Sequence, residues 1–187
     1  MSELPDETRI CDLSIPWPHD AATWNALTDW VRDQTYDEKT LFRMGARGFD
    51  FRVWKYFGEF SMTHGNFGWF LNTIDTEVND HPPDKSEIGN ETLFFDVTPQ
   101  SDEEDRKDAC AYMVKKLVEK YGLWRFSYLH PNMTLGEARG KIFLVTNDYQ
   151  YLNENELDTN PNGPRLYVPD TTASRLGGIM TTTTTVT

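Results

Sequence analysis

Residues Gly48-Phe49-Asp50-Phe51-Arg52-Val53-Trp54 alternate without a break. As a strand, this stretch turns Phe49, Phe51 and Val53 to one side and Asp50, Arg52 and Trp54 to the other. On an ordinary half-exposed strand the polar side faces water. In a closed α/β barrel it faces the lumen near the strand end, where such folds build their sites. The elements on either side decide between these two outcomes.

Upstream, Ile10 to Ile15 reads as a first short strand, ended by Pro16. Residues 21–33 place Trp24, Leu27, Trp30 and Val31 at helical spacing, and Thr40 to Arg47 reads as a second short helical piece. Downstream, Gly58 to Thr63 is a third strand candidate, ending at His64-Gly65. Residues 68–80 carry Trp69, Phe70, Ile74 and Val78 at helical spacing, stopped by His81-Pro82-Pro83. Residues 83–91 read as a polar loop. Thr92 to Val97 is a dense β-type run, as in a strand buried on both faces. Ser101 with Glu104 matches a capping box for a helix through Tyr121, with Ala109, Met113 and Leu117 on one face and Gly122 after its end. Thr134 with Glu137 caps a further helical turn, and Lys141 to Thr146 is the fifth strand. The order is that of an α/β fold with a largely parallel sheet.

From residue 147 the chain is rich in Asn, Asp and Pro and loses its period, and residues 171–187 form a Thr-rich tail expected to be disordered. One domain over residues 1–170 is the expected organisation. At 187 residues, with 38% apolar and 13% aromatic side chains, the chain can bury a sizeable core. Its formal net charge of -12 repels nucleic-acid backbones, so no nucleic-acid partner is expected. No run of about 18 apolar residues occurs. The start, Met1 to Glu7, has neither the basic nor the apolar segment of a secretory signal. A cytoplasmic location is the expectation, with export as the alternative. Cys11 and Cys110 read as two buried free thiols rather than a disulfide.

Four strand ends carry chemistry-bearing residues. His19 with Asp20 follows the first, Asp50 and Arg52 close the second, His64 follows the third and Thr98 the fourth. In a parallel barrel or sheet these ends share one face. Taken singly, each has a plainer role, such as a turn histidine or a surface ion pair between Arg52 and Asp50. Taken together, two histidines and an arginine suit a phosphodiester, with one histidine removing a proton, the other donating one, and the guanidinium fork holding the phosphate. No zinc-type spacing, Gly-rich phosphate loop or Gly-x-Ser-x-Gly elbow is present, and no cofactor is expected.

Several stretches resemble a known family. Leu13-Ser-Ile-Pro-Trp-Pro-His19-Asp20 is similar to the LSIPGTHDS opening of bacterial-type phosphatidylinositol-specific phospholipase C X domains, and Gly45-Ala-Arg-Gly-Phe-Asp50-Phe-Arg52 to their GARxFDIR segment. Thr63-His64-Gly65 resembles their HHG or VHG segment, Asn79 to Val97 their NPSETIIMSL stretch, and Leu135 to Leu144 their LGDARGKIVLL. The resemblance is collinear over roughly residues 8–146. It implies a TIM-type barrel and a phosphoric diester hydrolase or lyase that cleaves phosphatidylinositol-like lipids through a cyclic phosphate. By position it implies His19 as general base, His64 as general acid oriented by Asp20, and Arg52 on the phosphate. Asp50 would support the nucleophile or base, and Arg139 would lie near the inositol pocket. Arg52 stands where calcium-dependent members carry a carboxylate, which implies metal-independent chemistry. A phosphoinositide or related phospholipid is the implied partner, met at a membrane surface.

Three departures qualify this. Trp17-Pro18 replaces Gly-Thr before the histidine, and Thr98 replaces the family's lysine. Only about five strands are evident, where a barrel of eight takes about 250 residues. The aspartate that pairs with the first histidine in the family comes from later strands, which are not visible here. The fold expectation is therefore an incomplete barrel, prone to dimerise through open edges. The alternatives are an inactive relative that binds phosphoinositol or another phosphodiester, and a glycerophosphodiesterase-like enzyme.

Overall fold

The structure, a computed structural model, describes residues 1–65, 71–100, 103–127 and 129–145. The alternating stretch lies at its centre as β1 (Gly48–Tyr56), joined by β2 (Glu59–Met62), β3 (Leu93–Pro99) and β4 (Ile142–Val145) in the order β2-β1-β3-β4. β3 pairs in parallel with both β1 and β4, whereas β2 runs antiparallel to β1. The helices are α1 (Glu38–Arg43), α2 (Ile74–Asp80), α3 (Lys85–Ile88), α4 (Glu103–Tyr121) and α5 (Leu135–Ala138).

The period-2 alternation of β1 divides the sheet into two different faces. On one face Phe49, Phe51 and Val53 join Leu93, Phe95, Val97, Ile142 and Leu144 beneath α4 and α2. The rings of Phe49, Phe51 and Phe95 stand 5.6–6.4 Å apart, within the range for tilted and offset aromatic pairs. Ala109, Met113, Leu117 and Tyr121 supply the buried face of α4, and the Tyr121 hydroxyl donates to the Pro83 carbonyl at 2.9 Å. On the other face Phe94 stacks on Phe143 at 5.3 Å, and Trp17 lies over Phe94 at 5.8 Å. With Ile10, Ile15, Leu129, Met133 and Leu135 these rings form an apolar floor at the N-terminal end of the parallel strands. A Cβ on Gly48 would come within 2.1 Å of the Trp17 ring, so the floor closes only over a glycine.

The first expected strand is displaced. Ile10–Asp12 is a 3-10 turn, and the extended segment that follows takes the strand's place. The Gly48 and Asp50 amides donate to the carbonyls of Pro16 and Pro18 at 3.2 and 3.3 Å, with a constant sequence offset that marks parallel pairing. Pro16 and Pro18 have no N–H, so only half of a ladder can form and no regular strand results.

The helix expected over 21–33 is reduced to a 3-10 turn, Ala21–Thr23. The Thr23 hydroxyl accepts from the amides of Asp33 and Gln34 at 2.9 and 3.2 Å, which folds the segment into a loop. That leaves Leu27 and Trp30 exposed, Trp30 at 92%. α1 starts earlier than Thr40 because Asp37 caps the Thr40 amide at 2.8 Å. The expected polar loop 83–91 contains α3, closed by an Asp84–Glu87 capping box over a buried Ile88. The Thr134–Glu137 capping box is present, and Gly122 follows α4 at φ 85°. Neither cysteine is in a disulfide; Cys110 is buried, whereas Cys11 is only half-buried. Trp69, Phe70, Ser101 and residues 146–187, with the Thr-rich tail, lie outside the described residues.

α1 and α2 also bury an acid pair. Glu38 and Glu77 are both fully inaccessible, and Asn72 Nδ2 donates to Glu77 at 2.7 Å. Burial pushes both carboxyls above their ordinary range, and for Glu38 the facing Glu77 adds to the effect.

Candidate active site

The stiff Pro16-Trp17-Pro18 segment delivers His19 and Asp20 just past the apolar floor. Asp20 takes a left-handed backbone, φ 46° and ψ 54°, a region that aspartate tolerates better than most side chains. Three bonds hold it there: its amide donates to Asp50 Oδ2 at 3.3 Å, Thr23 Oγ1 donates to its carbonyl at 2.8 Å, and Gln34 Nε2 donates to the His19 carbonyl at 2.6 Å. Asp50 and Arg52 project from the polar face of β1, one and two steps above the floor.

His64 arrives by a route the sequence reading did not foresee. β2 is not a further parallel strand; it returns antiparallel to β1 after a two-residue turn at Phe57-Gly58. The Thr63 amide then donates to the Arg52 carbonyl at 2.9 Å, which brings His64 back beside Arg52. Convergence thus comes from a hairpin rather than from strand ends of one parallel sheet.

Five of the expected residues meet in one network. His19 Nδ1 lies 2.8 Å from Asp50 Oδ2, and His19 Nε2 lies 3.3 Å from Asp20 Oδ2. Arg52 Nε lies 2.6 Å from Asp20 Oδ1, and Arg52 Nη2 is 3.5 Å from Asp50 Oδ2 and from His19 Nδ1. His64 Nε2 lies 3.4 Å from both Asp20 Oδ2 and Asp33 Oδ2. Asp50 therefore supplies the acid beside His19 that the sequence reading sought beyond the visible strands. Asp20 sits between the two histidines and contacts both.

The other two expected residues behave differently. Thr98 pairs in register with Arg52, and its hydroxyl donates to Asp96 Oδ1 at 3.2 Å. Arg139 does not join the network. It precedes β4, at the N-terminal edge of the parallel strands, and bonds Asp6 Oδ1 at 2.5 Å and the Leu4 carbonyl at 2.7 Å. Its contacts in the structure are thus with the N-terminal segment.

Two acids were missed. Asp33 belongs to the loop that was read as helix, and no motif marked it. Asp96 had a visible signal, a single carboxylate in an otherwise apolar strand run, and it pairs in register with Asp50. Burial, reinforced by Asp50, pushes the Asp96 carboxyl up to about 7, against the opposing pull of Thr98 and Arg52. Burial pushes Asp20 up to about 8; Arg52 pulls it back, while Asp50 and Asp33 add to the rise. The Arg52–Asp20 contact is an ion pair off the hydrogen-bond axis, since neither Asp20 oxygen accepts a well-directed bond. The site thus gathers four carboxylates around the guanidinium of Arg52 and two half-exposed imidazoles. Donor atoms of His19, Asp20 and Asp33 lie within 4.8 Å of one another, close enough to share a cation.

No family model matches the sequence. Among curated proteins, the chain is 26% identical over 168 residues to a 1-phosphatidylinositol phosphodiesterase of Listeria monocytogenes, covering 80% of this chain and 48% of that protein. Among solved structures, a mutant of the phosphatidylinositol-specific phospholipase C from Staphylococcus aureus superposes with a TM-score of 0.60 at 22% identity, over 78% of this chain and 51% of that one. The phosphatidylinositol-specific phospholipase C from Listeria monocytogenes gives 0.56 at 24% identity, over 80% and 56%. The chain spans about half the length of these proteins. Among the described residues, its mostly parallel sheet corresponds to part of their TIM-type barrel. In sequence and in fold, the chain is similar to the bacterial phosphatidylinositol-specific phospholipases C.

Proposed function

We propose that the chain carries the acid–base centre of a phosphodiesterase acting on phosphatidylinositol-like lipids. The observation that carries this reading is the placement of two half-exposed histidines on either side of the Arg52–Asp20 ion pair. A phosphodiester has two demands, a proton removed from the attacking oxygen and a proton given to the leaving oxygen. Asp50 fixes His19 through Nδ1, which leaves Nε2 as the basic nitrogen. His19 Nε2 takes the proton of a head-group hydroxyl, and that oxygen attacks phosphorus. His64 protonates the departing glycerol oxygen, giving a cyclic phosphate and a diacylglycerol. Arg52 stabilises the charge gathering on the non-bridging oxygens, with its guanidinium in the role that a cation fills elsewhere. Substrate entry exchanges the His19–Asp20 and His64–Asp20 contacts for contacts to the phosphate.

A lipid substrate requires a surface that meets lipid. Leu27 and Trp30 stand exposed on the loop that also carries Asp33, and Phe57 is exposed at the tip of the hairpin leading to His64. Exposed apolar and aromatic side chains on these two segments support contact with a membrane interface. No described helix is long and apolar enough to cross a membrane.

The test is turnover of phosphatidylinositol vesicles by the purified chain in the presence of EDTA. Release of inositol cyclic phosphate that disappears in His19→Ala and in His64→Ala supports the reading. Binding of inositol phosphate without turnover would favour the binding-only alternative.

A further inference from the structure

We propose that His19, Asp20, Asp33 and His64 form a transition-metal site of the zinc type, whose occupation shuts off the acid–base centre. In a tetrahedral site with bonds of about 2.0–2.2 Å, neighbouring ligand atoms stand about 3.3–3.6 Å apart. Asp20 Oδ2 lies 3.3 Å from His19 Nε2 and 3.4 Å from His64 Nε2, and His64 Nε2 lies 3.4 Å from Asp33 Oδ2. Donor atoms of His19 and Asp20 both lie within 4.8 Å of an Asp33 oxygen. Three of the six ligand–ligand separations are therefore already at bonding size; His19, Asp20 and Asp33 form the compact part of the site, and His64, which contacts Asp20 and Asp33, must turn toward His19 to complete it.

A second observation points to a cation. The Asp20 side chain is 0% exposed and aimed at the histidines, yet neither of its oxygens accepts a directed hydrogen bond. A buried carboxylate is costly unless its charge is met; Arg52 meets Oδ1, whereas Oδ2 faces the two imidazoles with no directed donor. The outer partners fit as well. Asp50 Oδ2 lies 2.8 Å from His19 Nδ1, which fixes the ring with Nε2 free to ligate, as in a carboxylate–histidine–zinc arrangement. Arg52 holds the other oxygen of Asp20 at 2.6 Å, leaving Oδ2 for the metal. Two imidazoles with two carboxylates favour zinc, cobalt or copper over calcium and magnesium, which require more oxygen ligands. No sequence motif marks such a site, because its ligands come from a turn, a loop and a hairpin.

Ligation takes the lone pairs of His19 Nε2 and His64 Nε2 and releases the protons held there. Neither ring can then move a proton, so metal and phosphodiester exclude each other. This consequence rests on the proposed function, whereas the metal site itself does not.

The test is titration of the full, chelator-stripped chain with zinc near neutral pH by calorimetry, paired with the visible spectrum of the cobalt form, both without lipid. One zinc per chain and an intense tetrahedral cobalt spectrum are expected. Affinity should fall about tenfold or more in His64→Gln and in Asp33→Asn, and remain unchanged in Cys11→Ser and His130→Gln. Circular dichroism checks that each variant is folded, and either ligand variant suffices alone. No stoichiometric binding, binding that survives both ligand variants, or binding lost in Cys11→Ser would overturn the site. If zinc binds as expected but does not slow measured lipid turnover, the shut-off falls and the site stands. If the chain turns over no lipid, the titration still decides the site.

Discussion

Gly48→Ala should destabilise the protein through one side chain, Trp17. Gly48 does not use the left-handed backbone reserved for glycine, so an alanine there has no conformational penalty. Its methyl group would, however, sit 2.1, 2.3 and 2.6 Å from three atoms of the Trp17 ring. The ring cannot retreat easily, because it is flanked by Pro16 and Pro18 and packed on Phe94. Overpacking of this kind costs about 1–3 kcal/mol, and the reduced freedom of the unfolded chain returns about 0.4–1 kcal/mol. The net loss is at most about 2.6 kcal/mol, a fall of up to about 10 °C in Tm for a chain of this size. Trp17→Ala alone should cost about 3–5 kcal/mol. In the double variant the clash disappears, so Gly48→Ala becomes neutral or mildly stabilising. Urea unfolding of the four proteins in the cycle measures this coupling. Additivity of the two substitutions within about 0.5 kcal/mol would refute the idea that Gly48 exists to admit Trp17.

Glu38→Gln should flatten the pH dependence of stability. Both buried carboxyls are raised in the folded state, so that state holds protons the unfolded chain has released. Their contribution is complete below the unfolded carboxyl range and is lost as pH rises. Urea midpoints taken between about pH 5 and pH 9 should fall less steeply in Glu38→Gln than in the parent, and equal slopes would contradict the pairing. Asp50→Asn keeps the shape of the site but removes the anion that orients His19, so kcat should drop on the order of a hundredfold or more with the fold retained by circular dichroism. Arg139→Ala should leave lipid turnover unchanged, since its partners are Asp6 and the Leu4 carbonyl; a selective rise in KM would return it to the site.

Much of the site was legible because its side chains follow backbone parity. Once Phe49, Phe51 and Val53 are assigned to the helix-covered face, Asp50 and Arg52 must share the other. The capping box at Thr134 and Glu137 was legible for a similar local reason, since two side chains satisfy two orphan amides within one turn. Features that depend on distant partners were hidden. The strand beside β1 could not be placed at Leu13–Pro18 because its prolines remove half of its ladder. The hairpin turn carries Phe57 at φ 47° before Gly58 at φ 88°, where asparagine or aspartate is the usual sign, so β2 looked like an independent strand. Residues 21–33 have a helical apolar pattern, yet Leu27 and Trp30 face outward because Thr23 folds the loop back. Asp33 was lost with that helix.

The central claim is that His19 and His64 move protons at a phosphodiester with Arg52 in place of a metal. Phosphorus NMR of the first product formed from phosphatidylinositol in EDTA tests it most directly. The account predicts a cyclic inositol phosphate as the initial species, absent in His19→Ala and His64→Ala. Direct release of an acyclic phosphate, or turnover abolished by EDTA in the parent chain, would contradict it.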